Sequence, residues 1–154
     1  MKILTSRFGE IEVEDSAVVG MPAGVIGFPG RQRYVIIRHN PESPFYWFQS
    51  VDESDLAFVI VDPKVFMPDF DLPMPKSLLE AIGAESPEQV SVFVIVTIPE
   101  GRPEAMTANM LGPLVVNAQA RLARQIVLDD RRYSHRHPIL KSGDPDQQSD
   151  STSK

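Results

Sequence analysis

Two runs, Phe45-Tyr46-Trp47-Phe48-Gln49-Ser50-Val51 and Leu56-Ala57-Phe58-Val59-Ile60-Val61-Asp62-Pro63, are separated only by Asp52-Glu53-Ser54-Asp55 and read as a β-hairpin with an acidic tip. Successive side chains of a strand leave opposite faces, so four aromatics in a row place large rings on both sides of the first strand. One face is core and the other must be explained separately. The second run is apolar at nearly every position and stops at Asp62-Pro63, because proline has no N–H to continue a ladder. A strand buried on both faces belongs at the centre of a small domain.

Outward from this hairpin, short apolar runs recur with turn residues between them, the pattern of an all-β sandwich or barrel rather than of βαβ units. About eight strands are expected. They begin with Lys2 to Thr5 and with Gly9 to Glu14, whose Glu10, Glu12 and Glu14 alternate with Ile11 and Val13 and form an acidic outer face. Residues 20 to 30 hold four glycines and two prolines, a shaped loop that Val25, Ile26 and Phe28 pin to the body. Arg33 to Arg38 precedes the hairpin. The proline-rich segment 63 to 75 carries more apolar residues than a solvated loop needs, so it lies across the body or meets a partner. Pro75 to Gly83 is the one short helix, with proline at its first turn and glycine at its end. Val90, Val92, Val94, Val96 and Ile98 line one face of the longest strand and are expected to be core. Met106 to Met110, Leu114 to Asn117 and Arg124 to Leu128 complete an antiparallel, β-barrel-like domain over residues 1–140, and residues 141–154 read as a disordered tail with almost no apolar residue.

The 154 residues suit one domain, and no cysteine is present, which excludes disulfides, thiolate metal sites and cysteine nucleophiles. No signal-peptide pattern opens the chain and no apolar run approaches the roughly 20 residues of a membrane helix, so the expectation is a soluble, cytoplasmic protein with no membrane partner. The net charge of −6 is unevenly placed: residues 1 to 120 hold 16 acids against 8 bases, whereas residues 121 to 141 hold 2 acids against 6 bases. An acidic body disfavours nucleic acid, which is held by displacing counterions with Lys and Arg. It suits a basic protein.

No arrangement of nucleophile, base and orienting group is evident, and no serine lies in a Gly-x-Ser-x-Gly elbow. His135-Arg136-His137 puts two imidazoles on one side of an extended segment, but Arg136 between them and the lack of a carboxylate make a surface pair the better reading. The acids at 52 to 55 and at 69 and 71 lack the spacing and glycine of a calcium loop. The glycines of the 20–30 loop do not spell a dinucleotide fingerprint. No enzyme activity, cofactor or metal is expected. A single-strand nucleic-acid barrel stacking bases on Phe45, Tyr46, Trp47 and Phe48 is the alternative, opposed by the acidic body.

Six segments occur together in order: Thr5-Ser6-Arg7-Phe8-Gly9-Glu10-Ile11, Pro22-Ala23-Gly24-Val25-Ile26-Gly27-Phe28-Pro29, Pro44 to Ser50, Ala57 to Pro63, Ala108-Asn109-Met110-Leu111-Gly112-Pro113-Leu114-Val115-Val116-Asn117 and Arg124 to Leu128. In this order, over residues 3 to about 140, the chain resembles the bacterial flagellar assembly factor FliW family. The resemblance implies a small antiparallel β-barrel without enzymatic activity. It also implies two protein partners: the basic RNA-binding regulator CsrA, whose repression of flagellin translation is relieved, and flagellin itself as a competing partner. A monomer is expected, with no direct nucleic-acid contact.

For such partners, Asp52, Glu53 and Asp55 at the hairpin tip and Glu10, Glu12 and Glu14 on the second strand are the candidate source of long-range attraction, which acts more on association rate than on affinity. Trp47, Phe66 and Phe70 are the candidate anchors, since aromatics dominate interface energetics. Asn109, Asn117 and Gln125 are expected to satisfy backbone groups within the fold.

Overall fold

The computed structural model describes residues 1–38 and 40–140; His39 and the tail expected over 141–154 lie outside the described residues. Eleven strands form there: β1 (Lys2–Thr5), β2 (Gly9–Glu12), β3 (Val19–Gly20), β4 (Arg33–Ile37), β5 (Phe45–Ser50), β6 (Ala57–Val61), β7 (Ser91–Thr97), β8 (Thr107–Ala108), β9 (Leu114–Asn117), β10 (Leu122–Gln125) and β11 (His137–Pro138). The two-residue strands β3 and β11 are too short to carry a periodic signal, so the sequence pattern misses them. The expected strand at Arg124 to Leu128 sits two residues earlier, as β10. Arg121, held at φ 59°, turns the chain so that Leu122 pairs with Asn117. Ile126 and Leu128 still donate to the carbonyls of Pro113 and Leu111 beyond the strand.

Seven strands close on themselves in the order β7-β6-β5-β4-β3-β10-β9, because β9 returns to pair with the first half of β7 through Ser91↔Val116 and Phe93↔Leu114. All these pairs are antiparallel except β10 against β3, a single parallel contact of Leu122 with Gly20. The second half of β7 serves a different neighbour, β8, which in turn carries β11. The hairpin of β1 and β2 forms a separate two-stranded sheet. Closure leaves no exposed edge within the barrel.

The period-two alternation then sorts the side chains. Tyr34, Ile36, Tyr46, Phe48, Phe58, Ile60, Phe93, Ile95, Leu114, Val116 and Ala123 pack together as the barrel interior. Their neighbours on the same strands, Val59, Val61, Val92, Val94 and Val96, belong to a second cluster on the outer face, covered by Phe66, Met67, Phe70 and Leu72 of the 63–75 segment and by Tyr133 and Ile139. The valine row of β7 is core as expected at Val94 and Val96, buried under a covering segment, whereas Ile98, expected on the same face, lies beyond the strand end and is 44% exposed. The opposite face, with Phe93 and Ile95, looks into the barrel. The same cover explains why the 63–75 segment is apolar: it lies across the body, the first of the two alternatives the sequence leaves open.

The helix forms as α1 (Lys76–Ala81), with Pro75 at its N-cap and Gly83 at φ 69° behind it. Its Leu78, with Ile82 just beyond it, meets Val115 in a third cluster. Six residues are too few for a helix to stand alone in water, so this packing is what holds it.

Candidate functional site

The cross-strand register draws one row across the outer face: Ile37 opposite Trp47, Trp47 opposite Val59, Val59 opposite Val96, and Val96 opposite Ala108. The far end of this row is roofed by the 63–75 segment. The near end is flanked by the loop joining β1 to β2. Thr5 shapes that loop by accepting a hydrogen bond from the Phe8 N–H and donating one to the Gly9 carbonyl, both at 2.8 Å, and Gly9 takes φ 71°. The turn delivers Arg7 and Phe8 onto Trp47, with the guanidinium 4.1 Å from the ring centroid and the phenyl edge-on at 5.9 Å.

Between these two covers the wall is open. Arg7, Phe8, Ile11, Ile37 and Trp47 line a groove of about 640 Å³, and Phe45, Trp47, Val59, Ile98 and Met106 line part of a smaller one of about 260 Å³ on its other side. Trp47 is half-buried and borders both. Arg7, absent from the sequence candidates, is thus part of the site; its place in a tight turn three residues before Glu10 carries no periodic signal.

Gln49, on the same face of β5, is fully buried and its amide nitrogen faces four backbone carbonyls, those of Ser50, Glu53, Ser54 and Leu56, at 3.1 to 3.4 Å. It closes the hairpin tip from within. The Ser50 hydroxyl accepts from the N–H groups of Asp52 and Glu53, completing the turn. The three tip acids therefore project outward, but not unpaired. Arg33 holds Asp52 through two nitrogens, Arg31 holds Glu53 at 2.6 Å, and the Ser6 hydroxyl donates to Asp55. The Arg33 hydrogen bond keeps the Asp52 carboxyl below its ordinary range, and the Arg33 guanidinium is raised in turn. With two guanidiniums beside three carboxylates, the tip's field is weaker than the sequence implies.

Glu10 and Glu12 lie on the exposed side of β2, whose Ile11 faces the Trp47 groove, so this acidic row flanks the site. Lys2 stands 3.8 Å from Glu10 and the Met1 amino group 2.7 Å from Glu12, while Glu14 falls beyond the end of β2. Trp47, the tip and β2 are therefore neighbours on one side. Phe66 and Phe70 are not among them. Phe70 is 5% exposed, packed beneath Tyr133 at 4.9 Å, so it is a core residue and is corrected as an anchor. Phe66 is half-buried and stacked on His137 at 5.7 Å.

The nucleic-acid alternative loses much of its platform, because Tyr46 and Phe48 face the barrel interior and Arg7 covers Trp47. His135 and His137 gain no carboxylate, and no group of three or more His, Cys, Asp or Glu suited to a metal occurs among the described residues. The three amides act within the fold: Asn117 donates to the Ile82 carbonyl at 2.9 Å, Asn109 accepts from the Leu111 N–H, and Gln125 bridges the Ile26 N–H and the Gly112 carbonyl.

The family model described as FliW protein matches residues 2–139. A protein of Syntrophus aciditrophicus named flagellar assembly factor FliW is 39% identical over 142 residues, which is 92% of this chain and 89% of that one. Its namesake in Treponema denticola is 40% identical over 141 residues, covering 91% and 94%. A crystal structure of the flagellar assembly factor FliW superimposes with a TM-score of 0.84 at 28% identity, covering 93% of this chain and 99% of that one.

Proposed function

Because the chain belongs to the FliW family, we propose that it acts by binding two proteins in turn: the basic RNA-binding regulator CsrA, whose repression of flagellin translation it relieves, and flagellin, which competes for it. The observation that supports this reading is the acid-flanked apolar groove around Trp47. An aromatic anchor in a groove supplies affinity, and acids on β2 and the hairpin tip supply attraction to a basic regulator. Free flagellin then reports on its own synthesis by occupying the antagonist. If the antagonist leaves the regulator's RNA site open, it must bind one of two states of the regulator more tightly. The setting proposed for this exchange is the cytoplasm, with the protein as a monomer that makes no direct nucleic-acid contact.

Isothermal titration of the purified chain with CsrA, and separately with flagellin, tests the reading. A complex with each at micromolar concentration is expected, with CsrA association slowing as salt rises. Trp47→Ala is expected to weaken at least one complex about tenfold, in line with loss of a central anchor. Reversal of Asp52, Glu53 and Asp55 separates the surfaces if only CsrA is lost and merges them if both are lost. Absence of heat with both proteins overturns the reading.

A further inference from the structure

A second cleft, of about 570 Å³, lies away from the Trp47 groove, where the glycine loop and the segment after β10 approach the ends of β7 and β8. Its lining includes Phe58 and Ile95, both members of the interior cluster, so the barrel's apolar core is reachable here. Ile26 forms part of the rim and is 60% exposed. Its position is held: the Ile26 N–H donates to Gln125 at 2.8 Å, Val25 and Phe28 form a bridge across it, and Gly24 at φ 69° is packed so closely that a Cβ there would meet the Phe28 carbonyl oxygen at 2.6 Å. With Phe28, 43% exposed on the same braced loop, Ile26 gives this side of the cleft an apolar rim.

The polar groups of the cleft point to the occupant. In a chain of net charge −6, this lining contains Arg136 and His135 and no carboxylate. The side-chain donors of Thr97, Thr107, Asn109 and Arg136 have no acceptor among the described residues. Apolar walls together with several donors and a guanidinium suit a bulky apolar side chain next to a carboxylate.

We infer that the cleft between Ile26, Phe58, Ile95 and Arg136 receives an extended protein segment in which Leu, Ile, Met or Phe is adjacent to Asp or Glu. The apolar side chain fills the space between Ile26 and the Phe58 ring. The carboxylate pairs with Arg136 and takes hydrogen bonds from the threonine hydroxyls and the Asn109 amide. This goes beyond the reading above and needs neither CsrA nor flagellin. It places an acidic partner on a different surface from the one suited to a basic partner, so the two can be held together.

The test pans a random heptapeptide library, displayed on phage, against the immobilised full chain. Recovered peptides, fluorescein-labelled, are then titrated by anisotropy into the unsubstituted chain and into Ile26→Asp, Arg136→Glu and Trp47→Ala. Peptides that pair an apolar residue with an acid are expected. Their affinity should fall at least tenfold on Ile26→Asp and on Arg136→Glu and stay unchanged on Trp47→Ala. Replacing their acid by lysine should restore binding to Arg136→Glu. Ile26→Ser serves in place of Ile26→Asp if the latter does not melt cooperatively. Recovery of no such peptides, binding that survives both cleft substitutions, or loss on Trp47→Ala alone overturns the inference.

Discussion

The guanidinium of Arg7 stacks on Trp47 at 4.1 Å from its centroid and, with the Phe8 ring and the Ser6–Asp55 hydrogen bond, ties the β1–β2 hairpin to the outer wall of the barrel beside the open groove. Trp47 is the chain's single tryptophan, so its fluorescence reports the surroundings of this one ring. Arg7→Ala is expected to raise acrylamide quenching and to cost about 0.5–1 kcal/mol in urea unfolding, the usual worth of a cation–π contact at a partly exposed site. Unchanged quenching would mean that Arg7 does not cover the ring.

Tyr34 is fully buried, stacked on Phe48 at 4.4 Å, and its hydroxyl has no hydrogen-bond partner among the described residues. Replacing an unpartnered buried hydroxyl with hydrogen leaves the packing and removes a desolvated group, so Tyr34→Phe should be neutral or stabilising by up to about 1 kcal/mol. Burial also raises the phenol's pKa. Its contribution is therefore full below the unfolded value of about 10 and is lost as pH climbs through the raised folded value. Tyr34→Phe should flatten that alkaline limb in denaturant melts at pH 9 to 11. A variant less stable than the parent at neutral pH contradicts the account.

Gln49 is the internal brace of the hairpin tip. Gln49→Leu removes an amide whose two N–H groups are shared among four carbonyls, three of which, those of Glu53, Ser54 and Leu56, also accept backbone N–H groups, so it should cost about 1 kcal/mol, the net worth of a buried hydrogen bond. The urea midpoint is the readout; a shift below a few tenths of a kcal/mol would show that the turn's own backbone bonds suffice.

Asp52 and Arg33 are surface partners, so their effect is modest and screened by salt. The carboxyl is depressed, chiefly by the Arg33 hydrogen bond, so its contribution is present above the unfolded value of about 3.9 and is lost as pH falls through the lower folded value. Asp52→Asn should lower stability slightly at pH 7 and match the parent at pH 2. Thermal melts across that range check it, and a gap that widens toward acid pH rules it out.

Gly24→Ala should be strongly destabilising, because φ 69° disfavours a side chain and the added Cβ would lie 2.6 Å from the Phe28 oxygen. Gly30→Ala, at an ordinary φ with open space around it, is the control and should be near neutral or slightly stabilising. Equal melting temperatures for the two would remove the argument that the loop is braced.

Much of the barrel was legible because local chemistry decides it. The Phe45 to Pro63 hairpin, the glycine loop and the helix after Pro75 are each written in short-range signals, whether alternation, φ-permissive residues or a missing N–H, and the order of family segments carried the resemblance. The amide roles were readable for the same reason, since Asn109, Asn117 and Gln125 are polar residues within apolar strands and turns that need partners. The acids at 52, 53 and 55 are legible as the tip, but Arg31 and Arg33 stand 22 and 19 residues before their partners Glu53 and Asp52, and no local rule reports that the β4–β5 register brings them alongside.

By itself, the sequence determined strand content, the hairpin and the absence of thiol chemistry, because these depend on residue type and near neighbours. Only the tertiary structure decided which face of each strand is inside. Both faces of β5, β6 and β7 are apolar, so alternation cannot distinguish them. Closure of β9 onto β7 turns Tyr46, Phe48, Phe93 and Ile95 inward, and the covering segment 63–75 buries the valine row and Phe70 on the outside. Trp47 is left at the gap between two covers because its strand position places it there, a consequence of long-range pairing that no stretch of residues encodes alone.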